Sequence, residues 1–407
     1  MKLLVFAILL LVARANATDF PDPLVAADGT RITTAAQWQE KRRPELLEFF
    51  TREMYGRNPG RPEKLVSEVF DRDPQALGGK ATRIQIAIYP GGRPGPRMDL
   101  LVYLPNGADG PVPAIVGLNF LGNHAIHADP GIRLTESWWE NNGQPSSDHR
   151  ATDASCGINS KQWPVEEILA RGYALATIYR EDVCADHEPY FQSGAQSLFP
   201  ELQQGDENFS CIAAWAWSLS RALDELEKEP LIDAKRVAVF GFSRMGKAAL
   251  WAGASDERFA MVISNESGAG GAKLFHRGVG EDINRLNTKF PHWFARNFRK
   301  YIGKDTELPF DQHEVISLVA PRPIYIASAL GDKNSDPEGE FAGAKAAEPV
   351  FRLLGASGLP ADTWPPVDTS VQGGIGYHVR TGKHDVTDFD WQQYLAFADK
   401  HLKAAGH

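Results

Sequence analysis

The stretch Val237-Ala238-Val239-Phe240-Gly241-Phe242-Ser243-Arg244-Met245-Gly246-Lys247 constrains the fold more than any other part of the chain. An apolar strand over 236–242 runs without a linker into a helix over 244–253, with a serine at the joint. Such an elbow forces the serine into a strained turn and lifts its Oγ clear of the sheet, at the positive end of the following helix. Backbone N–H groups there can stabilise a developing oxyanion. Gly241 and Gly246 keep bulk away from the turn. The pattern departs from G-x-S-x-G, because Met245 takes the place of the second glycine and Gly246 follows one residue later. On these residues alone Ser243 fits a helix N-cap as well as a nucleophile.

The surroundings of the elbow give the fold class. Strand patterns are expected at 80–89, 98–104, 113–118, 173–179, 259–264 and 323–329, with helices at 36–54, 164–171, 211–228 and 391–403. The helix over 211–228 places Ile212, Trp215, Leu219, Leu223 and Leu226 on one face at spacings of three and four. Apolar strands alternating with helices imply a mostly parallel sheet covered on both faces. The paired strands at 80–104 make it a mixed sheet. We expect one α/β domain over 18–407, with insertions around 119–163 and 268–312.

Composition removes several function classes. The net charge of −9 does not suit phosphate neutralisation, so no nucleic-acid partner is expected. Residues 1–17, MKLLVFAILLLVARANA, have the basic start, ten-residue apolar run and small residues of an export signal. No second apolar stretch long enough to span a bilayer follows, so a secreted or periplasmic chain with no membrane partner after signal cleavage is expected. Export permits disulfides: Cys184 and Cys211 could pair and leave Cys156 free, and the sequence leaves that pairing open.

Partners for Ser243 are sought downstream, where the order in α/β-hydrolases is Ser, acid, His. Glu266 follows the strand at 259–264 and Asp332 the strand at 323–329. Both fall on the rim formed by the carboxyl ends of the parallel strands. His384, in a loop before the last helix, is the candidate base. His378 is the competitor but lies in an extended stretch, and His124 and His127 follow a buried strand near the same rim. Arg244 adds a permanent cation beside the serine, and Lys247 lies one helical turn on. Neither H-E-x-x-H nor paired C-x-x-C occurs, so no cofactor or catalytic metal is expected; a structural ion stays open only at the acidic run Asp336-Pro337-Glu338-Gly339-Glu340.

These residues resemble a known family. The segment 241–247 resembles the G-C-S-R-x-G-K signature of glucuronoyl esterases, carbohydrate esterase family fifteen. Residues 266–271 resemble its E-S-G-A-G-G segment, and Leu308-Pro309-Phe310-Asp311-Gln312-His313 its L-P-F-D-x-H. The resemblance, of bacterial type, implies the three-layer α/β-hydrolase fold and hydrolysis of esters of (4-O-methyl-)glucuronic acid that link glucuronoxylan to lignin alcohols; a monomer is expected. It implies Ser243 as nucleophile, His384 as base and Arg244 as oxyanion support. The acid is either Glu266, as in fungal members, or Asp332, as in many bacterial ones. Lys247 and Glu281 match residues that contact the sugar. Two positions depart from the pattern: Phe242 replaces a cysteine, and Asn334 stands where a sugar-stacking tryptophan often follows the later acid. Trp138 and Trp139, in the first insertion, are available either to a polymer or aryl alcohol or to local packing. An acetyl-xylan or other carbohydrate acetyl esterase is the alternative reading.

Overall fold

The computed structural model describes residues 20–140 and 148–403; the expected export signal lies outside them. The described chain is built on a ten-stranded sheet: β1 (Val66–Gln75), β2 (Ala81–Tyr89), β3 (Met98–Pro105), β4 (Val112–Asn119), β5 (Ala174–Tyr179), β6 (Ile232–Phe242), β7 (Met261–Asn265), β8 (Ile324–Ala329), β9 (Thr369–Gln372) and β10 (Ile375–Arg380), in the order β1-β2-β3-β5-β4-β6-β7-β8-β10-β9. The strands β5, β4, β6, β7, β8 and β10 run parallel, and β1 to β3 and β9 pair antiparallel at the two ends. The mixed, mostly parallel sheet expected from the sequence is therefore present.

Five principal helices cover the two faces: α1 (Val165–Ala170), α2 (Cys211–Leu226), α3 (Arg244–Ser255), α4 (Pro337–Leu353) and α5 (Asp388–Leu402). Alternation along the strands divides the core. Val116, Val239, Val262 and Ile326 pack with Trp215 of α2, Trp251 of α3 and Phe351 of α4. Ile115, Phe240, Ile263 and Tyr325 face the other way, onto Ile168 of α1 and Trp391 and Phe397 of α5. A strand period of two thus fills both faces, giving the three layers.

The structure adds elements the residue pattern did not announce. The edge strand β1 is largely exposed and carries Glu68, Asp71, Arg72 and Asp73, a charged edge that discourages pairing with other chains. The helix α4 contains Gly339, Gly343 and Pro349, residues that weaken a helix pattern. The acidic run at 336–340 is the start of this helix. There Arg277 Nε donates to Asp336 (2.8 Å), and buried Glu340 accepts from the backbone N–H of Gly268 (2.8 Å) and from Ser328 Oγ (2.6 Å). Protein groups therefore supply these partners. The helical arm expected at 36–54 is present over 35–55, with wide π turns at Trp38–Arg42 and Thr51–Tyr55.

Candidate active site

The serine elbow closes tightly. Ser243 adopts φ 57° and ψ −127°, a conformation side chains rarely take. Its N–H donates to Asn265 O (2.9 Å), which fixes the turn against the end of β7. A Cβ on Gly241 would fall 1.9 Å from Met245 O, and one on Gly246 would lie 3.0 Å from both Asn265 O and Ser267 Cβ. The close approach to the neighbouring strand thus occurs at position 246. Met245 is free to be large, and its side chain is buried in the core.

Two carboxylates and one imidazole meet at the rim beside this turn. Asp332 follows β8, Glu266 follows β7 with φ 44°, and His384 lies in the loop between β10 and α5. His384 Nδ1 is 2.6 Å from Asp332 Oδ2 and 3.1 Å from Glu266 Oε2. A single Nδ1–H serves one acceptor well, and the shorter contact assigns it to Asp332; Glu266 Oε2 has no hydrogen-bond partner. Asp332 also accepts from Ser335 Oγ. Arg380 Nη2 donates to Glu266 Oε1 (2.7 Å) and to Asp385 O (2.6 Å), and its Nη1 donates to Lys383 O (3.1 Å). One guanidinium therefore holds Glu266 and both sides of the histidine loop.

This arrangement separates the two acids electrostatically. Burial penalises the Glu266 carboxylate more than His384 and Arg380 favour it, and its pKa is pushed up to about 7. Burial also opposes the Asp332 charge, but hydrogen bonds from His384 and Ser335 outweigh it and hold the group at about 2. Burial would lower His384, yet its contacts to Asp332 and Glu266 raise it to about 9. Among the described residues, Glu266, Asp332 and His384 are the one group whose potential metal-ligand atoms converge, within 4.8 Å. The His384 nitrogen involved is the one directed at Asp332, so the trio fits a hydrogen-bonded histidine–acid pair.

A cavity of about 270 Å³ opens here, with Ser243, Arg244, His384, Phe242, Phe120 and Asn159 in its wall. Phe242 packs against the His384 ring at 4.6 Å between centroids. Arg244 Nη1 pairs with Asp186, and its guanidinium lies 4.8 Å from the Trp293 ring centroid. Its Nε has no protein partner. Burial opposes the Asp186 charge, but Arg180 and Arg244 overcome it and hold the carboxyl far below the usual range. His292 Nε2 (2.7 Å) and Trp293 Nε1 (2.8 Å) complete its contacts.

Lys247 is buried, donating to Ser267 O (2.6 Å) and Ala269 O (2.8 Å), with Glu281 Oε2 at 3.8 Å. The structure thus brings together Ser243, His384, Glu266, Asp332 and Arg244, and places Lys247 and Glu281 side by side. His378 sits inside the sheet, between Tyr325 OH (2.9 Å) and Asp390 Oδ1 (2.9 Å), and buried His124 meets Ser155 Oγ (2.8 Å). Trp139 is buried, its Nε1 on Leu121 O, so local packing accounts for it. Trp138 is stacked between His149 and His187. Asn334 is exposed, and its carbonyl accepts from Glu281 N (2.9 Å). Cys184 and Cys211 are disulfide-bonded and Cys156 is free.

Sequence reasoning missed Asp186, His292 and Trp293. The only sign of Asp186 was a carboxylate shortly after β5, on the rim where parallel strands end. Nothing in the composition of the 268–312 insertion singled out Trp293.

A serine elbow at the end of a central parallel strand, with a histidine on the last loop, is the arrangement of the α/β-hydrolase fold. The family model for fungal glucuronyl esterases matches residues 140–355. A carbohydrate esterase from an unknown prokaryotic organism is 47% identical over 391 residues, spanning 94% of this chain and 89% of its own. Among solved structures, a promiscuous CE15 esterase from a marine bacterial metagenome superposes with a TM-score of 0.89 at 46% identity, over 96% of this chain and 98% of the other. A glucuronoyl esterase from Solibacter usitatus gives 0.88 at 44%, over 96% and 100%. The chain belongs to the glucuronoyl esterases of carbohydrate esterase family fifteen.

Proposed function

We propose that the protein is a serine esterase cleaving esters of (4-O-methyl-)glucuronic acid such as those joining glucuronoxylan to lignin alcohols. The observation that carries this reading is the cavity where Ser243, Arg244 and His384 meet, with His384 Nδ1 held by Asp332 at 2.6 Å. In the reaction, His384 Nε2 takes the proton of Ser243 Oγ as the oxygen attacks the ester carbonyl carbon. The carbonyl oxygen becomes an oxyanion facing Arg244, whose unpartnered Nε and backbone N–H supply donors. Collapse expels the alcohol, which takes the proton from His384 Nε2. Water, deprotonated by His384, then attacks the acyl-enzyme, and Ser243 leaves with the proton returned to it. Asp332 orients the imidazole and supports its positive charge.

The sugar is read by Lys247 and Glu281, whose charged ends lie 3.8 Å apart. We further infer that the chain is exported and acts as a monomer; among the described residues no helix is long and apolar enough to cross a membrane. The marine relative's description as promiscuous supports a second reading, a broader activity that includes acetyl esters. Comparison of kcat/KM on benzyl glucuronate and p-nitrophenyl acetate tests the choice. A preference for the uronate supports the first reading, and a preference for the acetate overturns it.

A further inference from the structure

A second cavity, of about 210 Å³, lies between Leu330, Lys333, Asp336, Val279, Arg277 and Trp364. Two of its walls belong to the segments that carry Asp332 and Glu281. Leu330 and Lys333 flank Asp332, and Val279 is two residues before Glu281, so no more than about 7 Å of chain separates either wall from a site residue. The two walls are fastened together: Glu281 N donates to Asn334 O (2.9 Å), and a Cβ on Gly280 would fall 2.5 Å from that same oxygen.

The chemistry of the cavity is that of a pyranose site. Trp364 is half-exposed and anchored by its Nε1 to Tyr377 OH (3.1 Å), which in turn donates to Pro337 O (2.8 Å), so its indole is fixed without an external partner. Leu330 and Val279 are among the few large apolar side chains left exposed, 37% and 45%. Around this apolar surface stand groups that bind hydroxyls: the exposed Lys333, which forms no ion pair among the described residues, and the Arg277 guanidinium with its Asp336 and Glu338 partners. A rigid aromatic ring beside charged donors and acceptors matches the apolar face and hydroxyl edge of a sugar.

Resting on the proposed uronate esterase reading, the geometry points to this cavity as a binding site for a xylosyl residue of the polymer that carries the ester. In a glucuronate ester, the ring oxygen is flanked by C5, which carries the carboxyl group, and by C1, which carries the glycosidic bond. On this proposal the ester carbonyl sits at Ser243, the hydroxyls at Lys247 and Glu281, and the glycosidic bond leaves toward the segments of Val279 and Lys333, which Glu281 N and Asn334 O tie together. The main chain of the polysaccharide then passes over Trp364.

The test pairs two kinetic substrates with one direct titration. Benzyl glucuronate presents no xylose, whereas the methyl ester of a glucuronosyl-xylotriose presents three. Trp364→Ala and Leu330→Asp should each lower kcat/KM on the oligosaccharide ester by about tenfold through KM and leave benzyl glucuronate within about twofold; Trp364→Phe should keep most of the wild-type value. Leu330→Asp, at an exposed position, carries the test if Trp364→Ala fails to fold. Equal losses on both substrates, or none on either, overturn the inference. Titration of xylotriose into the wild-type protein, followed by NMR, should show binding that Leu330→Asp abolishes; no binding overturns it too. If the wild type cleaves neither glucuronate ester, the esterase reading falls, and the xylotriose titration still decides the site.

Discussion

His384 is bonded to Asp332 at 2.6 Å, the carboxylate with the depressed pKa, while the second acid, Glu266, lies 3.1 Å from the same nitrogen and is held by Arg380. The two acids therefore have unequal duties. Asp332→Ala should lower kcat about 10²-fold, less than the ~10⁴-fold cost of losing the only orienting acid, because Glu266 can take over the Nδ1–H. Glu266→Ala should cost about tenfold or less. The double variant should lose more than the product of the two, since each single variant retains one acceptor. Steady-state kinetics on benzyl glucuronate measure all three; a larger loss in Glu266→Ala than in Asp332→Ala would reverse the assignment.

The same contacts shape the pH profile. As the proposed base, His384 must be neutral to accept a proton, and its carboxylate neighbours push its pKa up to about 9, above the usual imidazole range. Activity should therefore rise with pH through an apparent value well above 6.5. In Asp332→Asn the supporting charge is gone, and the rising limb should move to lower pH. A limb left unmoved in kcat/KM against pH would detach His384 from Asp332. The sign for stability is opposite to that for activity: a histidine raised on folding stabilises the protein below its unfolded value near 6.5, and this contribution is lost as pH rises through about 9.

How far the chain could be read in advance follows from where the information lies. The strand and elbow at 237–247 were legible because period, glycine placement and helix start all fall in one contiguous segment. His384 and both acids were legible because each sits just beyond a strand or before a helix that the periodicity marks. The helix α4 was not, because Gly339, Gly343 and Pro349 give it low local propensity, and it is held instead by burial of Phe341, Val350 and Phe351. Asp186 was not, because its role depends on Arg180, Arg244, His292 and Trp293 arriving from three other parts of the chain, contacts set by tertiary packing. Trp139 looked available and is buried, since period alone does not tell which aromatic of a loop turns inward.

Arg244 offers a third test. It stands beside Ser243, stacked near Trp293 and tied to Asp186, with Nε unpartnered. Loss of one oxyanion donor typically costs 10²–10³-fold in kcat, about 2.7–4 kcal/mol. Arg244→Met should fall in that range with KM little changed. Asp186→Asn should lower kcat by a smaller factor, because the guanidinium remains but loses the carboxylate that aims it. A change confined to KM would place Arg244 in ground-state binding instead.

Lys247 has a structural duty beside its proposed binding one, and the two can be separated. Its ammonium, with pKa lowered by burial, is donated to Ser267 O and Ala269 O. Lys247→Met leaves both carbonyls without that donor and should cost about 1–3 kcal/mol in stability. Glu281→Gln touches neither carbonyl. If both residues hold sugar hydroxyls, both variants should raise KM for benzyl glucuronate several-fold, whereas only Lys247→Met should lower Tm. A KM unchanged in Glu281→Gln would remove it from the sugar site.

Glu340 provides a test of the acid-rich core behind the site. Its carboxyl is fully buried, which raises its pKa to about 8; Ser328 and the Gly268 N–H work against that rise, and the nearby charges of Glu266 and Asp332 add to it. The folded state therefore holds this proton where the unfolded chain, near 4.5, has lost it. The stabilisation is complete below about 4.5 and is lost as pH rises to about 8. Glu340→Gln stays neutral throughout: its Oε1 still accepts from Gly268, and its amide can donate to Ser328 Oγ. Tm measured from pH 5 to 9 should fall more steeply for the wild type than for Glu340→Gln. Parallel curves would mean that Glu340 is ionised in the folded protein across this range, balanced by a cation it does not contact in the structure.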